Sequence, residues 1–540
     1  MPRRAAPIPR YCDWVTAFYE ELSPLDAWFL YAERHEAPLH IGGVYIFEGQ
    51  PKFPGARGAL GIAKTLEERL HLVPRYRQKV RFRPFNLGHP VWVDDPDFDL
   101  SYHVRRAALP SPGDEAQLRD YAARVFARPL DLRKPLWEMY VIEGLQGGRV
   151  AMVNKVHHAM VDGISTVDIG TLLFDMEARP DALPAPRRWK PRPEPAERSL
   201  ILKELPSLNP LAVLRSIRSL NPAALPTLVQ QVAGAVMSSP WAGAASLAMS
   251  FLRPGRQLFF NRMIGPHRRV QHLTVPLSEI KEIKNAFGGT VNDVILAIVA
   301  EAMRSLLLDR GEPVPDTFRV FAPVSVRDDT QRYALGNRVS GMVVELPLAP
   351  MPPLTRLARV SAVTGDLKRS RQAIAAQTLS ALSNWAPATL HTLGGRMASM
   401  PQTQLQTVVN MVVTNVPGPQ VPFYTGGAEM LEVWPFLPVY HSLGLSLALF
   451  SYNGSVHFGL VSDRDLVPDL DRFARHLERA AHDYRSLARR LSATPGARRS
   501  AVAARRAEAA KPATNGRARA SSASKRARPA AGPALRTPRG

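Results

Sequence analysis

Two adjacent histidines at the end of an apolar segment are the residues of this sequence that best suit chemistry. His157 and His158 follow Val150–Val156, and Asp162 and Gly163 come shortly after them. Imidazole titrates near neutral pH, so one of the pair could act as the general base that activates a hydroxyl group for attack on a reactive acyl group. Asp162 could orient such a site through an ion pair with an arginine, and Gly163 permits a tight turn.

Two other interpretations of the histidine pair stay open at this point. Adjacent side chains on a strand point to opposite faces, so His157 and His158 are poorly placed to share a metal ion. No further histidine or carboxylate follows at a familiar ligand spacing, and we therefore predict no metal site. The simplest alternative is that both histidines are partly buried structural residues with satisfied hydrogen bonds.

Other candidate nucleophiles have weaker support. Ser165 and Ser325 do not stand in a G-x-S-x-G motif. Cys12 is the only cysteine, and its neighbour Asp13 does not favour a reactive thiolate. A single cysteine also excludes an intramolecular disulfide framework and a zinc site built from several cysteines.

The composition describes a large folded chain with a basic end. The chain has 540 residues, of which 45% are apolar, and a net charge of +22. The segment 492–540 holds twelve basic residues and one acidic residue, which is a net charge of +11 and half of the total. Because it has no aromatic residue and little apolar surface to bury, we expect a disordered tail. Such a tail could attract anionic lipid headgroups or nucleic acid, or could simply be solvated.

Hydrophobic patterns and turn signals predict two blocks that each mix strands and helices. The first block contains a strand at Val44–Phe47, a helix at Ile62–Leu72, the strand at Val150–Val156 and a helix at Ser165–Met176. In the second block, Thr290 and Asp293 resemble a capping box that begins a helix over Val291–Arg310, with Gly311 following it. The other predicted elements of the second block are strands at Phe318–Val326, Val339–Leu346 and Val408–Thr414, a hairpin at Leu445–Val461 turning at Asn453-Gly454, and a helix at Arg472–Leu491.

Two long uncharged segments have a composition that suits a lipid surface. Ser219–Leu252 is interrupted by prolines and small residues, so it predicts amphipathic helices at a membrane interface better than a core helix. Gln372–Gly395 fits either description equally well.

Several sequence blocks, taken in order, resemble one enzyme family. His157–Gly163 has the form HHxxxDG, and it is accompanied by Leu22–Asp26 (LSPLD), Pro135–Glu138 (PLWE), Thr290–Asp293 (TVND) and Asn415–Pro419 (NVPGP). Together these blocks resemble the bacterial wax ester synthase/acyl-CoA:diacylglycerol acyltransferases, over about residues 22 to 491. HHxxxDG alone also occurs in the condensation domains of peptide synthetases, so the order of the five blocks carries the resemblance.

The resemblance implies roles for individual residues. His158 would be the general base, His157 would shape the pocket, Asp162 would be structural and Gly163 would leave room for substrate. Asn292 either stabilises the oxyanion from the first turn of its helix or only supports the helix start. The tunnel or structural positions implied by the other blocks are Pro135, Leu136, Trp137, Asp293, Asn415, Pro417 and Gly418.

The resemblance also implies the fold and the partners. We expect an α/β protein with two chloramphenicol-acetyltransferase-like domains and a tunnel at their interface. The expected division is an N-terminal extension (1–21), an N-terminal domain (22–178), a Pro-rich linker with an amphipathic helical region (179–258), a C-terminal domain (259–491) and the basic tail (492–540). The substrates would be acyl-CoA with diacylglycerol or a fatty alcohol, with no cofactor beyond acyl-CoA, no metal and no specific nucleic acid.

The expected location is cytoplasmic, at the inner membrane face or a lipid droplet. Two competing functions are a condensation-type enzyme acting on carrier-bound acyl groups and a non-catalytic scaffold of lipid droplets. The chain shows no carrier domain, and a scaffold has no need of the histidine motif.

Overall fold

The architecture comes from a computed structural model that describes residues 19–53, 55–84, 88–160, 174–179, 189–197, 200, 255–325, 339–369 and 409–493. Several sequence-based predictions therefore lie outside the described residues. These are Cys12, Asp162, Gly163, Ser165, most of the predicted helix at Ser165–Met176, the segments Ser219–Leu252 and Gln372–Gly395, and the tail beyond residue 493.

The described residues form a mixed α/β structure. The strands are β1 (Glu20–Glu21), β2 (His40–Phe47), β3 (Lys52–Phe53), β4 (Ala56–Arg57), β5 (Gln78–Arg81), β6 (Val91–Asp94), β7 (Val104–Ala108), β8 (Trp137–Glu143), β9 (Val150–His157), β10 (Arg268–Pro276), β11 (Thr317–Ser325), β12 (Val339–Pro347), β13 (Met411–Pro417), β14 (Tyr424–Thr425), β15 (Ala428–Phe436), β16 (Leu445–Tyr452) and β17 (Ser455–Asp463). The helices are α1 (Pro24–Ala32), α2 (Gly58–Arg69), α3 (Leu100–His103), α4 (Glu115–Ala127), α5 (Leu277–Phe287), α6 (Val291–Asp309), α7 (Pro353–Arg369) and α8 (Leu470–Ala493).

Two six-stranded sheets dominate the fold. The N-terminal sheet has the order β14-β15-β2-β9-β8-β7, and the C-terminal sheet has the order β10-β17-β16-β13-β11-β12. Helices α5 to α8 bury their apolar faces against the C-terminal sheet in one large core. A smaller sheet, β1-β6-β5, lies beside the N-terminal sheet. The expected mixed α/β class is confirmed.

Local sequence signals explain the start of the key helices and the main hairpin. The Thr290 side chain accepts from the Asp293 backbone N–H and the Asp293 side chain accepts from Thr290, which completes the predicted capping box of α6. The Ser23 hydroxyl caps α1 by accepting the Asp26 backbone N–H at 3.1 Å, and it donates to the Asp26 carboxylate at 2.6 Å, which accounts for part of the LSPLD block. Asn453 and Gly454 both have positive φ, at 43° and 80°, as the predicted type I′ turn between β16 and β17 requires.

The two halves of the chain are joined by a strand that crosses between them. β14 and β15 follow strands of the C-terminal sheet in sequence, but β15 pairs antiparallel with β2 at the edge of the N-terminal sheet. A Cβ on Gly459 of β17 would lie 1.6 Å from the Pro435 carbonyl oxygen, so only glycine lets the two sheets approach here. Helix α4 adds a second contact by packing against β10.

Part of the predicted linker is firmly attached to the N-terminal half. Arg192 binds both carboxylate oxygens of Asp94 on β6, at 2.9 and 3.1 Å. Glu194 forms ion pairs with Lys79 and Arg81 on β5. Residues 189–197 therefore form a strap across the small sheet, because paired charges hold a segment whose prolines prevent it from joining a sheet.

Candidate active site

The strand β9 positions the histidine pair through its two neighbours in the sheet. The His157 backbone N–H donates to the Leu136 carbonyl at 2.9 Å, and the His158 backbone N–H donates to the Leu39 carbonyl at 2.9 Å. The first contact comes from the PLWE block, just before β8, and the second comes from the residue that precedes β2. The end of β9 is therefore held on both sides at the point where the strand turns into a short 3-10 helix over His158–Met160.

His158 lies against an aromatic side chain of α1. Its ring stacks on Phe29 with 3.7 Å between the ring centroids and an interplanar angle of 13°. Burial, reinforced by the neighbouring His157, lowers the pKa of His158 to about 4. The ring is therefore neutral at neutral pH, which is the form that can accept a proton.

His157 points into a different environment and is fully buried. Its Nδ1 accepts the Ala159 backbone N–H at 3.0 Å, so the proton of the neutral ring must be on Nε2. Nε2 lies 3.5 Å from Oε1 of Glu33, and the same oxygen accepts the Leu39 backbone N–H at 3.0 Å. Glu33 thus links His157 to the segment that holds His158, a role that sequence reasoning missed because Glu33 follows α1 without any motif of its own.

A buried polar network lies on the same face of β9 as His157. The Lys155 ammonium donates to the Arg128 and Val125 carbonyls at the C-terminal end of α4, at 2.8 and 3.3 Å, and lies 3.2 Å from Glu138. His40, which pairs with His157 across β2 and β9, lies 2.9 Å from the Phe126 carbonyl. The Lys155 ammonium and the His40 ring satisfy the last carbonyls of α4 and fix the helix to the strand that carries the site.

A cavity of about 160 Å³ lies between the two sheets. Its walls are mostly apolar and come from both halves of the chain. The lining residues are Ile41, Gly42, Tyr45, Asn154, Val156, Phe174, Thr414, Val416, Phe423, Met430, Val433, Pro435, Phe436, Leu437, Ala448, Leu449 and Phe450. An engineered cavity of about 150 Å³ admits benzene, so this one has room for a section of a hydrocarbon chain. Asn154 and Val156 are two residues apart and therefore lie on the same face of β9. His158, two residues further on, continues this spacing just after the strand ends.

The PLWE block is buried in the N-terminal half. Trp137 is buried, donates from Nε1 to the Tyr76 carbonyl at 2.9 Å, and stacks on His103 with centroids 4.5 Å apart. Pro135 and Leu136 are also buried, and Leu136 supplies the carbonyl that holds His157. None of the three lines the cavity between the sheets.

The TVND and NVPGP blocks occupy the C-terminal half. Asn292 lies partly exposed in the first turn of α6, whereas Asp293 is buried and accepts hydrogen bonds from Ser361 and Thr364 of α7, at 3.2 and 2.6 Å. Neither Asn292 nor His158 is among the residues that line the cavity between the sheets.

The NVPGP block ends β13 beside the cavity. Asn415 is partly buried and Pro417 is exposed, while Thr414 and Val416 line the cavity. A Cβ on Gly418 would lie 2.4 Å from the Ser451 carbonyl oxygen, so glycine lets the end of β13 pass close to β16.

The described ranges contain neither a cluster of metal ligands nor a membrane-spanning helix. No group of three or more histidine, cysteine, aspartate or glutamate side chains there could hold a metal ion. None of the described helices combines the length and the hydropathy needed to cross a bilayer.

Two sheets with a cavity between them, and a histidine pair at the end of a buried strand, define the fold of the CoA-dependent acyltransferases. The wax ester synthase/diacylglycerol acyltransferase catalytic domain matches residues 22–295, and the WS/DGAT C-terminal domain matches residues 335–484. The chain belongs to this wax ester synthase/diacylglycerol acyltransferase family.

Individual relatives agree with the family assignment. A protein of Mycobacterium tuberculosis named a probable diacylglycerol O-acyltransferase is 35% identical over 478 residues, which is 88% of this chain and 97% of the relative. A second such protein of the same species is 32% identical over 86% of this chain and 98% of the relative.

Solved structures agree as well. A wax ester synthase/diacylglycerol acyltransferase from Marinobacter aquaeolei has a TM-score of 0.60 and 27% identity, covering 87% of this chain and all of that one. The starter condensation domain of rhizomide synthetase, at 14% identity and a TM-score of 0.51, covers 87% of this chain and 94% of that one, and shares the fold.

Proposed function

We propose that this protein transfers a long-chain fatty acyl group from acyl-CoA to the hydroxyl group of diacylglycerol, and also to that of a fatty alcohol. The observation that carries the proposal is the neutral ring of His158, held against Phe29 at the end of a strand whose same face lines an apolar cavity. Membership of the family and the names of the M. tuberculosis relatives support the choice of substrates.

The proposed reaction is a direct transfer with His158 as the general base. A ring nitrogen of His158 accepts the proton of the acceptor hydroxyl while the hydroxyl oxygen attacks the thioester carbonyl. Collapse of the tetrahedral intermediate breaks the C–S bond, and the protonated imidazole returns its proton to the sulfur of departing CoA. Because the acceptor oxygen attacks the thioester directly, the proposed reaction uses no nucleophilic side chain and passes through no acyl-enzyme.

Other residues of the HHxxxDG and TVND blocks have supporting roles in this proposal. His157 shapes the pocket, and Glu33 fixes the orientation of the His157 ring. Asp162 is a structural residue and Gly163 leaves room for substrate. Asn292 either stabilises the developing oxyanion or only supports the start of α6, and its position in the first helical turn is compatible with both roles.

We propose that the enzyme works at a lipid surface, because both the acceptor and the product are insoluble in water. The inner face of the cytoplasmic membrane and the surface of lipid droplets are the expected locations. The basic residues of segment 492–540 would add attraction to anionic headgroups. Removal of this segment should lower binding to anionic vesicles at low salt, and unchanged binding would contradict this role of the tail.

Product analysis tests the proposed reaction. Purified protein is given palmitoyl-CoA with equal amounts of diacylglycerol and hexadecanol, beside the variants His158→Ala and Asn292→Ala. We expect both esters from the wild type and a loss of about a hundredfold or more in His158→Ala at unchanged thermal stability. A comparable loss in Asn292→Ala at unchanged stability would support an oxyanion role, whereas lower stability at normal turnover would support a helix-start role.

The failure of this experiment is also informative. If the wild type forms neither ester, the assigned substrates are wrong, and carrier-bound acyl groups or a non-catalytic role become the better explanations. If His158→Ala forms esters at the wild-type rate, His158 is not the base. The ratio of triacylglycerol to wax ester identifies the preferred acceptor.

A further inference from the structure

A pair of polar side chains interrupts the apolar wall of the cavity between the two sheets. Tyr45 of β2 and Asn154 of β9 both line the cavity, and they lie on the same face of two neighbouring strands. Thr414 of β13 lines it from the opposite sheet. Apolar and aromatic side chains supply the rest of the wall, including Phe174, whose ring centroid lies 5.2 Å from that of Tyr45.

The hydrogen bonds within the pair leave the phenol proton available. The Asn154 Oδ1 accepts the Gly43 backbone N–H at 3.1 Å, and the Asn154 amide nitrogen supplies the donor that faces Tyr45. This donation stabilises the charged form of Tyr45 and so lowers its pKa, against the larger effect of burial, which raises the pKa to about 12. A phenol oxygen that accepts this bond still carries its own O–H, and that O–H needs an acceptor.

A saturated hydrocarbon chain cannot provide an acceptor. Covering a phenol O–H with methylene groups alone leaves an unsatisfied donor, which costs free energy. A cavity made only for saturated chains would gain nothing from a tyrosine and an asparagine at this place. The chemistry of the wall therefore fits a chain that carries an oxygen atom where it passes the pair.

The position of the pair along β9 sets where that oxygen must be. Asn154 precedes His158 by four residues, which corresponds to about 13 Å along a strand. An extended aliphatic chain advances roughly 1.3 Å per carbon, so about ten carbons separate the reacting group from the pair. Ile41 and Val156, which pair across β2 and β9, form the apolar wall between these two points.

We infer that Tyr45 and Asn154 recognise a hydroxyl or oxo group carried about ten carbons from the reacting end of a long aliphatic chain. The inference rests on the proposed acyltransferase function, since it takes His158 as the reacting end. The oxygenated chain is either the acyl group of the CoA thioester or the alkyl chain of the alcohol acceptor. In both cases the chain oxygen accepts the Tyr45 phenol proton.

Competition between matched chains tests the inference in two arms. In the donor arm, 10-hydroxyoctadecanoyl-CoA competes with octadecanoyl-CoA for one diacylglycerol. In the acceptor arm, 10-hydroxyoctadecan-1-ol competes with octadecan-1-ol for palmitoyl-CoA. We expect the hydroxylated chain to be preferred about fivefold in kcat/KM in one arm, which is the value of a single hydrogen bond. The 3-hydroxy and 17-hydroxy isomers, with the oxygen elsewhere, should show no preference.

Tyr45→Phe is the decisive variant because it removes one oxygen atom and keeps the ring. It should abolish the preference for the 10-hydroxy chain, so that the ratio of kcat/KM between the 10-hydroxy chain and the plain chain falls to about one. Tyr121→Phe, which removes a phenol hydroxyl from α4 outside the cavity, is the matched control and should keep the preference.

Each contrary result has a distinct meaning. A wild type that prefers the plain chain, or shows no preference, in both arms overturns the inference. A preference that survives Tyr45→Phe overturns the role of the pair. A wild type that esterifies none of the chains overturns the proposed function, and the inference with it.

Discussion

Glu33 shows how much of the site depends on a single side chain outside the motif. Its carboxylate lies 3.5 Å from Nε2 of His157 and accepts the Leu39 backbone N–H, while the Leu39 carbonyl holds the backbone of His158. One carboxylate therefore connects both histidines with the turn that follows α1. A carboxylate beside an N–H favours the tautomer in which that nitrogen keeps the proton.

Replacement of this carboxylate should damage catalysis more than stability. In Glu33→Gln the amide oxygen can keep both contacts of Oε1, with the Leu39 N–H and with Nε2 of His157, but the negative charge that favours a proton on Nε2 is lost. We expect kcat/KM to fall about tenfold and the free energy of unfolding to fall by about 1 kcal/mol. Steady-state kinetics and urea unfolding measure the two effects.

Glu36→Gln is the matched control because Glu36 is exposed and lies in the same turn. It should leave both quantities near the wild-type values. Equal losses in the two variants would mean that the negative charge of the turn matters and that the contact with His157 does not.

At the scale of elements, the attachment of α4 to β9 positions the site strand. Lys155 is buried and bonds the carbonyls at the end of α4, and Glu138 lies beside it on β8. Burial lowers the pKa of Lys155, and the charge of Glu138 opposes that change. Arg105 and Tyr140 also bind Glu138, at 3.0 and 2.8 Å, so the charge of Glu138 has more than one partner.

Removal of the ammonium should therefore weaken the fold markedly. Lys155→Met leaves the α4 carbonyls and one carboxylate oxygen less satisfied, and we expect a loss of about 3 kcal/mol in the free energy of unfolding. Urea unfolding of the variant measures this loss. The double variant Lys155→Met/Glu138→Gln should recover part of it, because the uncompensated charge is gone.

Lys281→Met, on the exposed side of α5, is the control for the loss of a lysine charge. Its free energy of unfolding should be close to that of the wild type. A Lys155→Met variant as stable as this control would show that the buried ammonium contributes no net stability.

At the scale of the whole molecule, several histidines lie between the packed layers. His272 of β10 stacks on Trp434 of β15 with ring centroids 3.7 Å apart, and so joins the two sheets. Burial lowers the pKa of His272 to about 3, with a further contribution from Arg119 on α4. Burial also lowers the pKa of His457 on β17 to about 4 and that of His40 well below its ordinary value.

Acid should therefore destabilise the fold before the carboxylates titrate. Between the ordinary histidine pKa near 6.5 and the lowered folded values, the unfolded chain binds protons that the folded chain does not. The free energy of unfolding then falls as the pH falls, by up to about 1.4 kcal/mol per pH unit for each such histidine. Urea unfolding at a series of pH values from 7 to 5 measures the slope.

His272→Phe keeps a ring on Trp434 and removes one titrating group. Its free energy of unfolding should therefore change less steeply with pH than that of the wild type, by the contribution of one histidine. His482→Gln, on the exposed face of α8, should keep the wild-type slope. A pH-independent free energy of unfolding in the wild type would contradict the lowered pKa values.

The sequence alone determined the features that depend on neighbouring residues. The cap at Thr290, the turn at Asn453-Gly454 and the strand that ends at His157 all follow from local backbone preferences and hydrophobic periodicity. The order of the five motif blocks was enough to identify the family, since each block is short and continuous. Where a predicted strand or helix lies in the described ranges, the observed element ends within a few residues of the predicted bounds, but α1, α4, α5, α7 and the strands β8, β10 and β15 were not predicted.

Only the tertiary structure decided what lies next to the histidines. The insertion of β15 beside β2, the contact of Glu33 with His157 and the cavity that contains Tyr45 and Asn154 all join residues far apart in the chain. Local periodicity says which face of a strand is buried, but it does not say which distant strand covers that face. The lowered pKa of His158 has the same origin, because desolvation depends on how every neighbouring element packs around the ring.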